Sequence, residues 1–386
     1  MCCNDDHLLV CTEVEFEPRN LTRGNMTFNK IEFRFSNEVL PHGFVYKNNF
    51  GDEAIIDFHE ETGHLFGSIN THDGRSYAVE KCKTCHIWKE FNTSSFEKNM
   101  PLNVTESIQV SERTFPPDTT TIKTYSIMVY YTPEFAAVTA DIEGWVDLVL
   151  EEANQGYENS NIPVRVEKFC IEEATISDKD SYPHVFRMMK GSPCATRNSA
   201  DAAVLFSVGC PPDVCWCGVA YVPPKVSGAW SFSVTRKSCA LGAYTFGHEL
   251  GHNFGCHHNI EQNTNRYHSY GHGHLIAAGN NVEGSTTILA YTGSGHMTRA
   301  NYYSNPDQIY PPTGTPLGVN GVSNNARLLT ENRRAFAAIG HESGSCGEPE
   351  KCTHKFLPFC IVEKLVKLKK KLKKKLFDFL YPFCYI

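Results

Sequence analysis

The chain has 386 residues, of which 41% are hydrophobic and 20% are charged, an ordinary composition for a globular protein of two or three domains. Its net charge is −7, but residues 361–386 hold eight Lys against Glu363 and Asp378, or +6, which leaves −13 for the first 360 residues. An acidic body argues against nucleic acid as a partner, and the lack of any run of 18 apolar residues argues against a transmembrane helix.

Cysteine content and glycosylation sequons indicate the compartment. The chain has 16 cysteines, more than is typical of a cytosolic enzyme, and most are spaced as expected for disulfides in an oxidising compartment. Four N-x-[ST] sequons lie within the first 110 residues, at Asn20, Asn25, Asn92 and Asn103. We therefore expect a secreted glycoprotein. The first residues, MCCNDDHLLVCTEVEF, contain no signal peptide, which we interpret as a chain whose natural start is missing.

Residues 1–110 are predicted to form a small β-rich domain, because runs such as KIEFRF and GHLFGSI alternate between turn residues. KCKTCH at 81–86 also matches a c-type haem attachment pattern, but nothing else indicates electron transfer. A disulfide from Cys82 or Cys85, to each other or to another cysteine, is the favoured interpretation. Residues 111–124 are rich in Pro and Thr and read as a linker, with Arg113 as a candidate processing site.

Residues 125–345 are predicted to form an α/β domain. TYSIMVYY reads as a buried strand, residues 141–158 as a helix, and VRVEKF as the next strand, so a βαβ unit and a mainly parallel sheet are expected. GVAYV and WSFSVT are further short strands. CWC at 215–217 lacks a matching second pair, so disulfides are favoured there over a metal site. A last helix is expected from 324 to 339.

HELGHNFGCHH at 248–258 carries the clearest chemistry. Positions i and i+4 share one face of a helix, so His248 and His252 can bind a single ion, with Glu249 beside it. Gly255 can end the helix in the left-handed conformation and return His258 as a third ligand. Three imidazoles and an open fourth position are typical of catalytic zinc, Zn2+, and Glu249 is then the general base for a zinc-bound water. The predicted helix spans 241–254.

Other histidines lie nearby in the sequence and are not assigned to the metal. They are His257, His268, His272 and His274. The spacing favours His258 over His257, and the remaining three show no recognisable ligand spacing. We interpret these four as exposed residues or as residues that support the ligands.

The motif H-E-x-x-H-x-x-G-x-x-H resembles the zinc signature of the metzincin metallopeptidases. SIMVYYTP, ADAAVLF, CGVAYV, YYSNP and NNARLLTENR are similar to the reprolysin-like branch, with its ADAM-type and peptidyl-Asp-type endopeptidases, so the resemblance covers roughly residues 122–340. One departure is Leu289 in TTILAYTG, where that family carries a methionine. The two side chains have similar volumes, and we interpret the change as tolerated. Met297 is an alternative, although its context does not resemble the methionine turn.

The resemblance implies a metzincin-like fold with a mixed, mainly parallel twisted sheet, a central zinc helix and an irregular C-terminal lobe. It implies that one short strand is a cleft edge that pairs with polypeptide substrate, and that residues from Tyr291 to Pro306 line the pocket for the side chain after the scissile bond. TGHLFGSI is similar to reprolysin-type propeptides, so residues 1–110 are interpreted as an inhibitory prodomain, with an accessory domain as the alternative. Cys82 or Cys85 as a zinc-binding latency switch stays open.

The sequence therefore predicts a secreted zinc metalloendopeptidase, synthesised as a zymogen. A catalytically silent binding module and a zinc hydrolase of small amides are the alternatives. Residues 346–386 differ in composition from the rest. They form either a Cys- and Lys-rich tail that stays solvated or lies outside the natural mature protein, or a basic amphipathic helix that contacts anionic membrane.

Overall fold

The computed structural model describes a defined set of residues, which are 8–14, 26–28, 31–40, 43–48, 52–59, 64–71, 75–82, 85–91, 100–103, 121–181, 196–209, 216–262, 267–280, 282–291 and 298–341. Met297 and the predicted tail, residues 346–386, lie outside them. Within the described residues, no helix is long and apolar enough to cross a membrane.

The N-terminal part is an eight-stranded antiparallel sheet in the order β1-β8-β7-β6-β5-β4-β3-β2. Its strands are β1 Leu8–Val14, β2 Met26–Phe28, β3 Ile31–Leu40, β4 Gly43–Lys47, β5 Glu53–His59, β6 His64–Asn70, β7 Ser76–Cys82 and β8 Cys85–Phe91. The β-rich character expected of this region is confirmed. Cys82 and Cys85 are backbone partners at the end of the β7–β8 hairpin.

The second sheet contains six strands in the order β11-β10-β12-β14-β13-β9. They are β9 Met100–Asn103, β10 Lys123–Tyr131, β11 Val164–Glu173, β12 Ala202–Ser207, β13 Gly218–Val222 and β14 Phe232–Arg236. Only the β13–β14 pair is antiparallel. The predicted mixed, mainly parallel sheet is therefore confirmed, as is the βαβ unit in which a helix links the parallel strands β10 and β11.

Five α-helices lie in the described residues, namely α1 Pro133–Val138, α2 Ile142–Asn159, α3 Lys237–Ala240, α4 Thr245–Asn253 and α5 Asn325–Phe336. Asp141 caps α2 by accepting the Gly144 amide at 2.9 Å. Helix α4 carries the histidine motif and begins four residues later than predicted. Gly242 and Tyr244 have φ of 76° and 57°, and these left-handed residues separate α4 from α3.

Short strands and turns follow α4, as expected for an irregular lobe. They are β15 Leu275–Ile276, β16 Ser285–Thr286, β17 Thr298–Arg299, β18 Asn305–Tyr310 and β19 Thr315–Leu317. Helix α5 then begins after the cap Asn324 and ends at Phe336, three residues before the predicted end. Phe336 is buried and stacks on Phe254 at a centroid distance of 3.8 Å, which joins the last helix to the end of α4.

The two sheets are in contact. Helix α2 packs against β5 and β6, and buried residues of the N-terminal sheet, including Val45 and Phe66, belong to the same apolar cluster as Trp145. Of the two strands expected to provide the cleft edge, β14 lies inside the second sheet, and β13 lies next to its end. The edge of β13 that faces away from β14 pairs in parallel with β9, from Val219 opposite Met100 to Val222 opposite Asn103. The backbone before residue 104 therefore lies along this edge.

Candidate metal centre and active site

Three imidazoles of the HELGHNFGCHH segment meet at one point. The Nε2 atoms of His248 and His252 are 3.0 Å apart, and His258 Nε2 lies 3.1 and 3.0 Å from them. All three residues are buried, and within the described part of the chain they are the one group of three such side chains that could share an ion. Gly255, at φ 97°, makes the turn that returns His258, as the sequence predicts.

Hydrogen bonds on the far side of the rings aim these nitrogens. Nδ1 of His248 is 2.6 Å from the Ile288 carbonyl oxygen, and Nδ1 of His252 is 2.8 Å from that of Cys256. A carbonyl oxygen only accepts, so each Nδ1 carries the proton and each Nε2 presents a lone pair. Burial lowers the pKa of His252 to about 4 and holds those of His248 and His258 well below their usual range.

This arrangement fits a zinc ion. The Nε2 lone pairs of His248 and His252 face each other at 3.0 Å and repel, and a cation bound by both nitrogens removes the repulsion. His258 Nε2 lies 3.0 to 3.1 Å from both and can complete the donor set. Zinc–nitrogen bonds of 2.0 to 2.1 Å in a tetrahedral site place neighbouring nitrogens about 3.3 Å apart, close to the observed spacing. Three imidazoles, two of which donate a hydrogen bond from Nδ1 to a backbone carbonyl, are a donor set that zinc accepts.

Glu249 lies beside this centre and is fully buried. Neither of its carboxylate oxygens has a hydrogen-bond partner in the described part of the chain. Burial raises the pKa of Glu249 well above its usual range, while the Arg299 guanidinium acts in the opposite direction, as a bound cation would. A methyl group added at Gly218 would collide with Glu249 Oε1, so the first residue of β13 leaves the space that the carboxylate fills.

Comparison with known proteins identifies the domain that holds this site. Residues 121–304, just under half of the chain, match the family model described as metallo-peptidase family M12, of the reprolysin type. These residues are similar to the reprolysin-like metallopeptidases of family M12, and we call them the M12 domain. The chain is accordingly a metallopeptidase.

Curated relatives of the M12 domain are bacterial. The chain is 28% identical over 295 residues to a peptidyl-Asp metalloendopeptidase of Stenotrophomonas maltophilia, covering 71% of this chain and 68% of the relative. It is 30% identical over 217 residues to one of Xanthomonas campestris, covering 53% and 49%. A solved structure, metalloproteinase-II from Bacteroides fragilis, aligns with a TM-score of 0.39 and 11% identity over 77% of this chain and 84% of that one.

Hydrogen bonds attach helix α4 of the M12 domain to the second sheet and to residues 298–303. The Asn253 amide donates to the carbonyl oxygens of Tyr221 and Phe232, both at 3.2 Å, and so ties the end of the helix to β13 and β14. On another side, Tyr303 donates its hydroxyl proton to the Gly247 carbonyl at 2.8 Å. These contacts hold the ligand helix against the edge strand and against residues 298–303.

Leu289 takes the position beneath the helix that the resemblance assigns to methionine. It is fully buried, and a methyl group added at Gly251 would lie 2.8 Å from Leu289 Cδ2. The glycine inside the HELGH motif therefore makes room for Leu289. That this substitution is tolerated stays a prediction.

Two residues of the site were missed from the sequence. The Tyr291 ring lies 3.8 Å from that of His258, and its buried hydroxyl has no partner in the described part of the chain. Arg299 is buried and donates to the Ala243 carbonyl at 2.9 Å. A lone Tyr and a lone Arg carry no spacing signal. The one available sign was that both fall in the segment whose resemblance implied a pocket wall.

Two further histidines and one disulfide lie near the M12 site. His257 and His272 are buried with their rings 5.6 Å apart, so of the two roles expected for them exposure does not apply. His272 Nδ1 is 2.9 Å from the His258 carbonyl oxygen. His272 thus supports the third ligand. Cys217 forms a disulfide with Cys239, which confirms a disulfide over a metal site at the CWC segment.

Proposed function

We propose that the chain is a secreted, zinc-dependent endopeptidase with a metzincin-like catalytic domain, in which His248, His252 and His258 hold the metal and Glu249 is the general base. The observation that carries the proposal is a set of three Nε2 atoms 3.0 to 3.1 Å apart, beside a buried carboxylate that has no partner in the described residues. Burying a carboxylate without a hydrogen-bond partner costs free energy, and such groups are concentrated at catalytic sites.

When bound, zinc lowers the pKa of a coordinated water from 15.7 to about 7 and polarises a peptide carbonyl. Glu249 accepts the proton of the attacking water, because both of its oxygens are available, and then donates a proton to the leaving amine. The Tyr291 hydroxyl is a second available group. Its ring packs on His258, and it can donate a hydrogen bond to the negative charge that develops on the carbonyl oxygen.

The substrate is proposed to be an extended polypeptide. Strand β13 supports this, because it begins beside Glu249 at Gly218 and offers one edge to a backbone partner. The relatives of the M12 domain bear the name peptidyl-Asp metalloendopeptidase. We extend that preference to this chain and propose that it cleaves beside an aspartate.

Residues 1–110 are proposed to act as an inhibitory prodomain. Strand β9 occupies the same edge of β13 that an extended substrate needs, and a strand already paired there must leave before a peptide can bind. Limited proteolysis between residues 111 and 124 should therefore raise peptide hydrolysis. Equal rates before and after cleavage would remove the inhibitory role. Activation by Cys82→Ser or Cys85→Ser without cleavage would favour the thiolate switch, and unchanged latency in both would exclude it.

The proposal of a secreted protein draws on the Cys217–Cys239 disulfide, on Cys170, which is also disulfide-bonded, and on the four sequons. Expression in a secretory host tests it. The secreted chain should lose mass when treated with a glycosidase that removes N-linked sugars, and an Asn92→Gln variant should show whether that sequon is used.

Metal analysis of purified variants tests the ligand set. His248→Ala, His252→Ala and His258→Ala should each lose zinc and chelator-sensitive peptide hydrolysis, because two imidazoles leave an incomplete site. His257→Ala is the matched control, since His257 is adjacent in sequence and equally buried but is not one of the three. Full zinc content in His258→Ala together with loss in His257→Ala would show that the third ligand is misassigned.

A further inference from the structure

Helix α2 lies between the two sheets. Its residues from Gly144 to Tyr157 are all buried, although they include several acidic and amide side chains. The helix packs on β11 of the second sheet and on β5 and β6 of the N-terminal sheet. We call the contact of α2 with β5 and β6 the junction, and any polar group of α2 that faces the junction is buried by the N-terminal sheet.

Two neighbouring glutamates of α2 face different sheets. Glu151 accepts from Arg165 of β11, with Nη2 and Oε1 2.7 Å apart. Glu152 is 2% exposed and faces the junction, where Glu53 of β5 and Ser68 of β6 act on its carboxyl group. Residues i and i+1 of a helix do not share a face, so the paired cation of Glu151 does not serve Glu152.

Glu152 meets one hydrogen-bond donor and one like charge at the junction. The Gly242 amide donates to Glu152 Oε1 at 2.9 Å. Within the described residues, no Lys or Arg forms an ion pair with Glu152. The nearest titratable groups of other elements are Glu53 and Tyr244, and both are acids. The ionised form of Glu152 is therefore disfavoured while the N-terminal sheet is in place.

The other charged groups at the junction lie beside Glu53. Arg75 of the N-terminal sheet and Arg299 of the M12 domain line one cavity together with Glu53. Tyr302 and Tyr310 line the same cavity; burial raises the pKa of each, and Glu53 acts in the same direction. Glu53 thus shares its surroundings with cations and neutral phenols, and Glu152 is the acid of the junction that lacks a counter-ion in the described residues.

We propose that Glu152 and Glu53 make the contact of the N-terminal sheet with the M12 domain pH-sensitive, so that the sheet is held in acid and released at neutral and alkaline pH. This rests on the proposed inhibitory role of residues 1–110 and adds the condition that ends the inhibition. Strand β9 precedes the linker, so the fragment that carries Glu53 also carries the strand that covers the edge of β13. Cleavage of the linker and a rise in pH together open that edge.

The direction of the effect follows from proton linkage. Burial first and Glu53 second raise the pKa of Glu152 from 4.5 to about 7, while the Gly242 amide acts in the opposite direction. When the sheet leaves, water reaches the carboxyl group and Glu53 departs, so the pKa returns toward 4.5. Separation then releases a proton. The association is therefore at full strength below pH 4.5 and weakens as pH rises toward and through 7.

The experiment uses the full chain cleaved between residues 111 and 124. Size-exclusion chromatography over a dilution series at pH 5.5, 6.5 and 8 gives the dissociation constant of the N-terminal fragment. For wild type it should rise by about tenfold or more from pH 5.5 to 8, since one carboxyl group that titrates at about 7 when buried and 4.5 when released gives about 30-fold. Glu152→Gln should change less than about threefold over this range, and Glu53→Gln should keep part of the wild-type change.

Glu151→Gln is the matched control. Burial raises the pKa of Glu151 to about 7 as well, but this residue faces Arg165 and not the junction, so the variant should dissociate with the pH dependence of wild type. The full wild-type change in Glu152→Gln, an equal loss of the change in both variants, or no separation of the wild-type fragments at pH 8 would overturn the inference. Separation is measured without hydrolysis. A pH-dependent separation with no hydrolysis would sink the proposed peptidase chemistry alone, and hydrolysis that separation does not alter would sink the inhibitory role alone.

Discussion

Gly251→Ala tests the packing of Leu289 beneath the ligand helix. The added methyl group would lie 2.8 Å from Leu289 Cδ2 and 3.3 Å from Tyr303 Cε1, and overpacking of this kind costs about 1 to 3 kcal/mol. Alanine favours a helix over glycine by about 1 kcal/mol, so the net loss of unfolding free energy should be about 0 to 2 kcal/mol.

Gly247→Ala is the matched control on the same helix. Its methyl group would meet only the Tyr303 hydroxyl at 3.3 Å and Ala153 Cβ at 4.0 Å, so the helix propensity should dominate and stability should hold or rise. The two variants should therefore differ by about 2 kcal/mol in denaturant unfolding, or about 4 to 8 °C in thermal midpoint.

A Leu289→Ala background tests whether Leu289 causes the destabilisation by Gly251→Ala. In a Leu289→Ala chain, the partner of the clash is absent, so Gly251→Ala should no longer destabilise. If Gly251→Ala and Gly247→Ala unfold at the same denaturant concentration in the wild-type background, Leu289 does not pack against Gly251 as described.

Three further changes test neighbouring parts of the structure. Burial raises the pKa of Glu152 in the folded state from 4.5 to about 7. Between these pH values the folded state holds a proton that the unfolded state has lost, so the stability of wild type falls as pH rises. Glu152→Gln lacks this titration, so between pH 5 and pH 7.5 its unfolding free energy should rise by about 2 kcal/mol relative to that of wild type. Gly218→Ala should displace Glu249 and cut hydrolysis at least about tenfold with zinc content unchanged. Tyr303→Phe should lose about 1 kcal/mol of stability in denaturant unfolding, because the Gly247 carbonyl loses a buried donor.

The motif predicted more of the site than the surrounding sequence did. The i, i+4 spacing of His248 and His252 and the glycine at 255 require only local geometry, and the structure brings His258 to them. The start of α4 could not be predicted, because Tyr244 adopts a left-handed conformation that non-glycine residues rarely take and that only its tertiary contacts maintain.

Long-range contacts account for the rest of what the sequence did not predict. Gly218 and Glu249 are 31 positions apart, and nothing local to either indicates that one leaves space for the other. The pairing of β9 with β13 joins residues more than 100 positions apart across the predicted linker. Alternation in residues 1–110 predicted strands, but the partner of a strand depends on the whole chain.

The general base is best tested by measuring peptide hydrolysis and zinc content together in Glu249→Gln, using the full chain cleaved between residues 111 and 124. Glutamine keeps the size of the side chain but removes the charge that accepts a proton, and it leaves His248, His252 and His258 untouched. One zinc per chain should remain while hydrolysis falls by about 10² to 10⁴. Hydrolysis at the wild-type rate with zinc retained would contradict the assignment of Glu249 as the base.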